Sequence, residues 1–304
     1  MKMFFLLVLN CLFLNVAEIN NDYDLQGKTY RISDGDVSMF DGRIIKNGTL
    51  VISEGDYLLR VKKEGGSCLR IGDNTEVVVE GTLQLAPNCF KSYDMIRVLG
   101  SNVKIHGKGC ILGDKFTHTD NEGEWGMGIR LKGSCNVTIS GLTIADCWGD
   151  CIYIGGDSKN IQISHCQLRG SRRQGISITK ADGVTVSNCK IANISGTNPQ
   201  YAIDIEPNKR CAVDNVLIKN VTVVGCEGGF RAVIGKKEFG NARIGKVEIL
   251  NCNVMAKSRQ TIFFAGCEQA VVNNCVIETR KGEKPILSRK VGHLSEMNNK
   301  VVYK

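Results

Sequence analysis

Short segments of alternating apolar and polar residues recur along this chain at near-constant spacing, and that periodicity restricts the fold more than any other feature. "NVTISGLTI" (136–144), "NIQISHCQL" (160–168), "GVTVSNCKI" (183–191), "NVLIKNVTV" (215–223) and "KVEILNCNV" (246–254) share the template V-x-I-x-(N/G/H)-(C/L/V)-x-(I/V). "AVVNNCVI" (270–277) and "NVKIHGKGCI" (102–111) are shorter or earlier relatives. Between successive copies lies a second strand: "CLRIG" (68–72), "MIRVLG" (95–100), "MGIRLKG" (127–133), "DCIYIGG" (150–156), "QGISITK" (174–180), "YAIDIEPN" (201–208) and "GGFRAVIG" (228–235). With Ile96, Ile129, Ile152, Ile176, Ile203 and Phe230 as equivalents, the periods are 33, 23, 24, 27 and 27 residues. Periods of this size mark repeat architectures.

A β-rich chain of this length would ordinarily be read as a sandwich or barrel. No stretch carries the i, i+3, i+4, i+7 spacing of an amphipathic helix, and neither sandwich nor barrel would hold one register over so many copies. The leucine and helix signature of a leucine-rich repeat is also absent. What remains is an all-β fold, a single right-handed parallel β-helix of about eight or nine coils from near residue 45 to 277. Strand alternation sends Ile152 and Ile154 inward and Tyr153 outward. The corner residues Cys166, Cys189, Cys252 and Cys275 are expected to stack inward as small apolar groups, with the preceding asparagines bonded in a ladder.

The chain divides into a signal peptide (1–17), the β-helix with an N-terminal cap (18–277) and a basic C-terminal segment (278–304). "MKMFFLLVLNCLFLNVA" has Lys2, then an apolar run too short for a membrane span, then a small residue. Export to the periplasm or medium is the expectation. No later segment is long and apolar enough to cross a bilayer. Of fourteen cysteines, thirteen follow Cys11, and there is no CxxC, so neither a disulfide scaffold nor a zinc site is indicated. The last segment holds seven Lys/Arg against three Asp/Glu, half of the net +8. The overall basic balance therefore says little about any groove and does not mark a nucleic-acid binder.

Extending the register puts Arg70, Arg97, Arg130, Tyr153, Ser177 and Asp204 in equivalent outward positions, with Lys132, Gly155, Thr179 and Glu206 one step on. Coils lie ~4.8 Å apart, so the strip is about 25 Å long, basic at one end and acidic at the other. Arg172 and Arg173 fall at its edge, with Asp150 one coil away. Adjacent like charges need compensation, either from an anionic ligand or from carboxylates such as Asp150 and Asp204. Asp204 and Glu206 project together, ~6.5–7 Å apart, a separation suited to an inverting glycosidase. With Asn208 they also form an oxygen-only set of the kind that binds Ca²⁺; no other metal or cofactor is indicated. Trp148 and Trp125, each beside glycine, are either sugar-stacking platforms or buried corner residues. The loops 113–126 and 195–200 lengthen their coils and could wall a groove.

At these residues the chain resembles the pectin-lyase-like right-handed β-helix superfamily, in particular exported β-helix proteins common in gut Bacteroidetes. The run "EWGMGI…DCWGDCIYIGG…RRQGISI…GTNPQYAIDIEPN" carries most of the resemblance, which spans roughly residues 25–280. It implies a polysaccharide substrate processed by hydrolysis, β-elimination or epimerisation. "WGDCI" and "RQGISITK" are distantly similar to the "GDDCI" and "GHGISIGS" of polygalacturonase-type hydrolases. Here, however, one acid stands for two, Gln174 replaces the histidine, and no R-x-K follows, so only Asp150 carries over. The resulting expectation is an enzyme cleaving or modifying an acidic, uronate-containing polysaccharide, a lyase ahead of an inverting hydrolase because of the arginine pair, its catalytic set drawn from Asp150, Tyr153, Arg172, Arg173, Asp204 and Glu206. Arg70, Arg97, Arg130, Lys132 and Trp148 are the expected substrate-binding residues. In a lyase, Arg173 or Tyr153 takes the C5 proton, and Arg172 or a cation on Asp204 and Glu206 stabilises the charge that develops. In a hydrolase, Asp204 and Glu206 are acid and base. A non-catalytic glycan-binding surface is the alternative from another class.

Overall fold

The structure is a computed structural model, described here for residues 22–33, 37–235, 241–257 and 261–304. The leader expected at 1–17 lies outside these residues. Three parallel sheets of eleven, eleven and ten strands run the length of the molecule, each strand pairing with its counterpart one coil earlier and one coil later. Among the described residues the only helical element is a 3-10 turn, Ser38–Phe40. The protein is therefore a parallel β-helix. It has ten to eleven coils rather than eight or nine, because the winding begins at Asp22–Asp24 and ends at Lys300–Tyr303. The basic segment after residue 277 is part of the stack: Ile286–Arg289, His293–Met297 and Lys300–Tyr303 each pair with the preceding coil. Those end strands were hard to see in sequence because little of them is buried; His293–Met297 has no buried residue.

One coil shows how the sequence builds the rest. Asp150–Gly155 lies in the first sheet, Ser158–Ser164 in the second and Gln167–Arg169 in the third. In the second-sheet strand Ile161 and Ile163 are fully buried, and Gln162 between them is exposed. β-Branched side chains at the inward positions pack well on a pleated surface. Successive coils then stack like on like: Ile96, Ile129, Ile152, Ile176, Ile203 and Phe230 are direct register partners. All six are buried, and they belong to one continuous apolar core.

The corners use a left-handed backbone at single residues, which asparagine tolerates better than other side chains. Asn47, Asn74, Asn102, Asn136 and Asn160 all have φ between 52° and 56°. Each amide donates to the one below, at 3.4, 3.1, 3.1 and 3.1 Å along the column. The long asparagine ladder is therefore on the corner leading into the second sheet and not at the Asn-Cys corners. Gly141 and His165 interrupt the Asn-Cys column, where Asn220 donates to Asn188 at 3.0 Å. The cysteines beyond those asparagines are buried and unpaired: Cys166, Cys189, Cys252 and Cys275 are at most 2% exposed. Each thiol donates to a main-chain carbonyl.

Truncating one member of the isoleucine column, Ile176→Ala, should cost about 2–5 kcal/mol by urea denaturation, as expected for a fully buried aliphatic side chain. At the corner, Asn136→Ala should lose more stability than Asn136→Gly, because alanine in the left-handed region costs about 1–2 kcal/mol that glycine avoids. Equal losses for the two variants would mean that the amide ladder, and not the backbone, dominates that position.

Candidate functional site

The outer face of the first sheet carries a cleft of about 440 Å³ lined by Trp125, Arg130, Tyr153, Arg173, Asp204 and Glu206, among others. Strand alternation places its floor: Arg130, Tyr153, Ser177 and Asp204 are register partners on four successive coils. Arg130 and Tyr153 interact directly, with the guanidinium carbon 4.7 Å from the ring centroid. Thr179 donates to the Tyr153 hydroxyl at 2.8 Å. Trp125, 47% exposed, offers an aromatic face at the rim.

Charge in the cleft is organised in pairs. Asp150 is completely buried and accepts from Arg173 Nη1 through both oxygens, at 3.3 and 3.2 Å. Burial pushes the Asp150 carboxyl above its ordinary value, with Arg173 and Ser177 opposing the shift. Glu124 lies 3.6 Å from the other side of Arg173. Burial pulls the Arg173 guanidinium down, but Asp150 and Glu124 outweigh it and hold the group above its usual range. One coil beyond Asp204, Arg231 donates to both Asp204 oxygens at 2.7 and 3.0 Å and to Glu206 at 3.1 Å. Gln174 donates to Asp204 at 2.9 Å and accepts from the Tyr201 amide at 2.7 Å. Burial raises Asp204 to about 6, against the pull of Arg231, while Glu206 adds to the rise. Glu206 is more open, with its side chain 31% exposed.

Arg231 was missed among the candidates, although the alignment that equates Ile203 with Phe230 puts it directly after Asp204 in the outward column. Its guanidinium bonds both carboxylates expected to hold Ca²⁺, Asp204 and Glu206, so that pair already faces a cation. Among the described residues no three His, Cys, Asp or Glu side chains converge as a metal site.

The expected residues do not all meet in this cleft. Asp150 lies beneath it, held by Arg173. Arg172 turns the other way. It stacks on Trp148, 3.8 Å from the ring, and donates to the carbonyls of Gly123 and Asn121 at 2.7 and 3.4 Å. Trp148 is only 6% exposed, sandwiched between Arg172 and His118, whose ring lies 4.0 Å away. It cannot present a stacking face to a sugar while it is covered on both sides. Further down, Asp114 accepts from Tyr93 at 2.6 Å and contacts His118 Nδ1 at 2.7 Å. Lys115 donates to the carbonyls of Gly170 and Ser195. This cluster docks the loop 113–126 against the next coils and so positions Glu124 and Trp125. Arg70 and Arg97 lie farther along the sheet in a separate hollow, and Lys132 is an exposed neighbour of Gly155 in the register.

Removing Arg231 should reveal its role as counter-charge. Arg231→Ala leaves two carboxylates facing each other with one of them buried, a loss of about 3–5 kcal/mol in chemical denaturation at neutral pH. The deficit should shrink in mildly acidic buffer, where Asp204 takes up a proton; a deficit independent of pH would contradict the pairing.

With that geometry in place, comparisons with known proteins address the fold. The SPbeta prophage-derived protein YorA of Bacillus subtilis is 31% identical over 186 residues, covering 53% of this chain and 32% of the relative. The chain spans about a third of the length of the curated relatives it matches. Among solved structures, the endo-xylogalacturonan hydrolase of Aspergillus tubingensis aligns with a TM-score of 0.57 at 15% identity, covering 90% of this chain and 92% of that one. The A-module of the Azotobacter vinelandii mannuronan C-5 epimerase AlgE6 gives 0.57 at 11% identity, covering 84% and 91%. These structural likenesses concern the fold alone. A family model described as "Right handed beta helix region" matches residues 59–245 and 127–301, most of the chain, and the chain belongs to that family.

Proposed function

We propose that this chain is a carbohydrate-active enzyme that cleaves an acidic polysaccharide in the first-sheet cleft, with Asp204 as proton donor and Glu206 as the base that activates water. The observation that carries this reading is the contrast between the two carboxylates. Asp204 is buried and raised to about 6, whereas Glu206, two residues along the same strand, stays partly open to solvent. Carboxyl groups whose environments differ in this way are suited to divided acid and base roles. Arg231 Nη1 lies 2.7 Å from Asp204 and 3.0 Å from Glu206, so both carboxyl groups flank one point of the cleft, as the carboxylate pair of a glycoside hydrolase must. Arg130 and the exposed Trp125 supply a cation for an acidic sugar and a face for its ring. The names of two proteins of similar fold specify xylogalacturonan and mannuronan, which supports the substrate class by analogy of fold only. A polymer of this kind is met outside the cytoplasm, in keeping with the leader expected at 1–17.

Elimination is the second reading, and Tyr153 is the feature that favours it. Its hydroxyl accepts from Thr179, and Arg130 lies over its ring, so the oxygen is held at one place in the cleft, within reach of a C5 proton. Arg173 is unsuited to that task, because Asp150 and Glu124 hold it charged.

A panel of acidic and neutral polysaccharides, assayed for new reducing ends and for the ultraviolet absorbance of unsaturated uronates, separates the two. Hydrolysis yields reducing ends alone. Asp204→Asn and Glu206→Gln should each lower kcat about 10²–10⁴-fold, the usual contribution of a positioned acid or base. Because Asp204 must carry its proton to donate it, kcat/KM of the wild type should fall as pH rises through about 6, the value to which burial raises this group. Full activity of both variants on a polymer that the wild type cleaves would overturn the assignment. Unsaturated products, with activity lost in Tyr153→Phe, would establish elimination instead.

A further inference from the structure

A second hollow of about 530 Å³ lies on the same face of the first sheet, toward the N-terminal coils. Its lining includes Arg60, Lys62, Lys63, Arg70 and Arg97 against one carboxylate, Asp41. Lys62 is paired with Asp41 at 2.6 Å. Arg70 donates to the Gly42 carbonyl at 3.2 Å, and among the described residues no carboxylate forms an ion pair with it. Arg60 and Lys63 stand on the turn between the strands Asp56–Leu59 and Ser67–Ile71, and both are exposed.

One buried carboxylate links a lining residue of each hollow. Asp94, completely buried, accepts from Arg97 through one oxygen and from Arg130 through the other, the latter at 2.6 Å. Arg97 lines the basic hollow and Arg130 the cleft. These arginines are register partners on adjacent coils, so one carboxylate holds a guanidinium toward each side. A ligand lying along the strip passes from one to the other without leaving a cationic surface.

We infer that the basic hollow of Arg60, Lys62, Lys63 and Arg70 is a second binding subsite for the anionic groups of the polysaccharide that enters the first-sheet cleft, with Asp94 positioning Arg97 and Arg130 to join the two. This rests on the proposed function and narrows it. The polymer must carry acidic groups several sugar units away from the cleaved bond, since Arg70 and Asp204 are five coils apart, ~24 Å.

Affinity electrophoresis of the full chain in gels containing polygalacturonate, alginate, dextran sulfate or neutral dextran tests this directly. The wild type should be retarded by at least one acidic polymer and not by dextran. The double variant Arg60→Glu with Lys63→Glu should bind that polymer at least 10-fold more weakly, with a shallower dependence on salt. Circular dichroism and Arg60→Gln with Lys63→Gln, which removes charge without inverting it and should give an intermediate loss, guard against misfolding. If the reversed variant binds like the wild type to a polymer that the wild type cleaves, the subsite falls and the proposed function stands. If the wild type neither binds nor cleaves any acidic polymer, the substrate class falls and the subsite with it.

Discussion

Everything in this molecule follows from in-register parallel pairing, which sets each residue directly over its counterpart one coil away. At ~4.8 Å a side chain meets a copy of its own position before it meets anything else. Apolar columns profit from this, as the isoleucines of the first sheet show. An asparagine column profits as well, because the amide is both donor and acceptor and the same bond can repeat indefinitely. A charged column does not. Two like charges at that spacing would repel by about 3–4 kcal/mol at an effective dielectric of 20. Arg70, Arg97 and Arg130 form such a column. Asp94, buried between the last two, supplies the opposite charge.

The cleft repeats this solution at its other end. Arg173 is held by Asp150 and Glu124, and Arg231 by Asp204 and Glu206. Nearly buried carboxylates survive there because each has a guanidinium aimed at it; without one, burial would neutralise them. The resulting surface presents matched charges to solvent. An acidic ligand would have to compete with the resident carboxylates for the same guanidinium groups.

What could be read in the sequence depended on whether strand alternation governed the side chain. Ile152 over Ile176, Tyr153 beside Ser177, and Asp204 in the outward column all follow from period-two geometry, and the structure has those partners. Arg231 was accessible by the same rule but stood one coil beyond the series considered. Arg172 and Trp148 were not accessible. They sit in turns between the third and first sheets, where direction is set by what the turn docks against, and both are committed to the loop 113–126. Asp94 precedes its strand's isoleucine by two residues, so nothing in the local pattern announced that it would anchor two arginines. The coil count was short at both ends for a related reason: terminal strands have only one neighbour, bury less, and lose the alternation that identifies the others.

The docking of loop 113–126 has a consequence for how a ligand is received. Its contacts reach Gly170 and Ser195 through Lys115, Arg172 through the Gly123 carbonyl, and Trp148 through the Glu122 carbonyl. The wall that carries Trp125 is thus ordered by the fold itself, with no ligand needed to draw it in. The entropy of arranging that wall is spent once, when the chain folds, and is not charged again at each encounter. A ligand meeting this face would find the wall already formed, held by the loop's own hydrogen bonds.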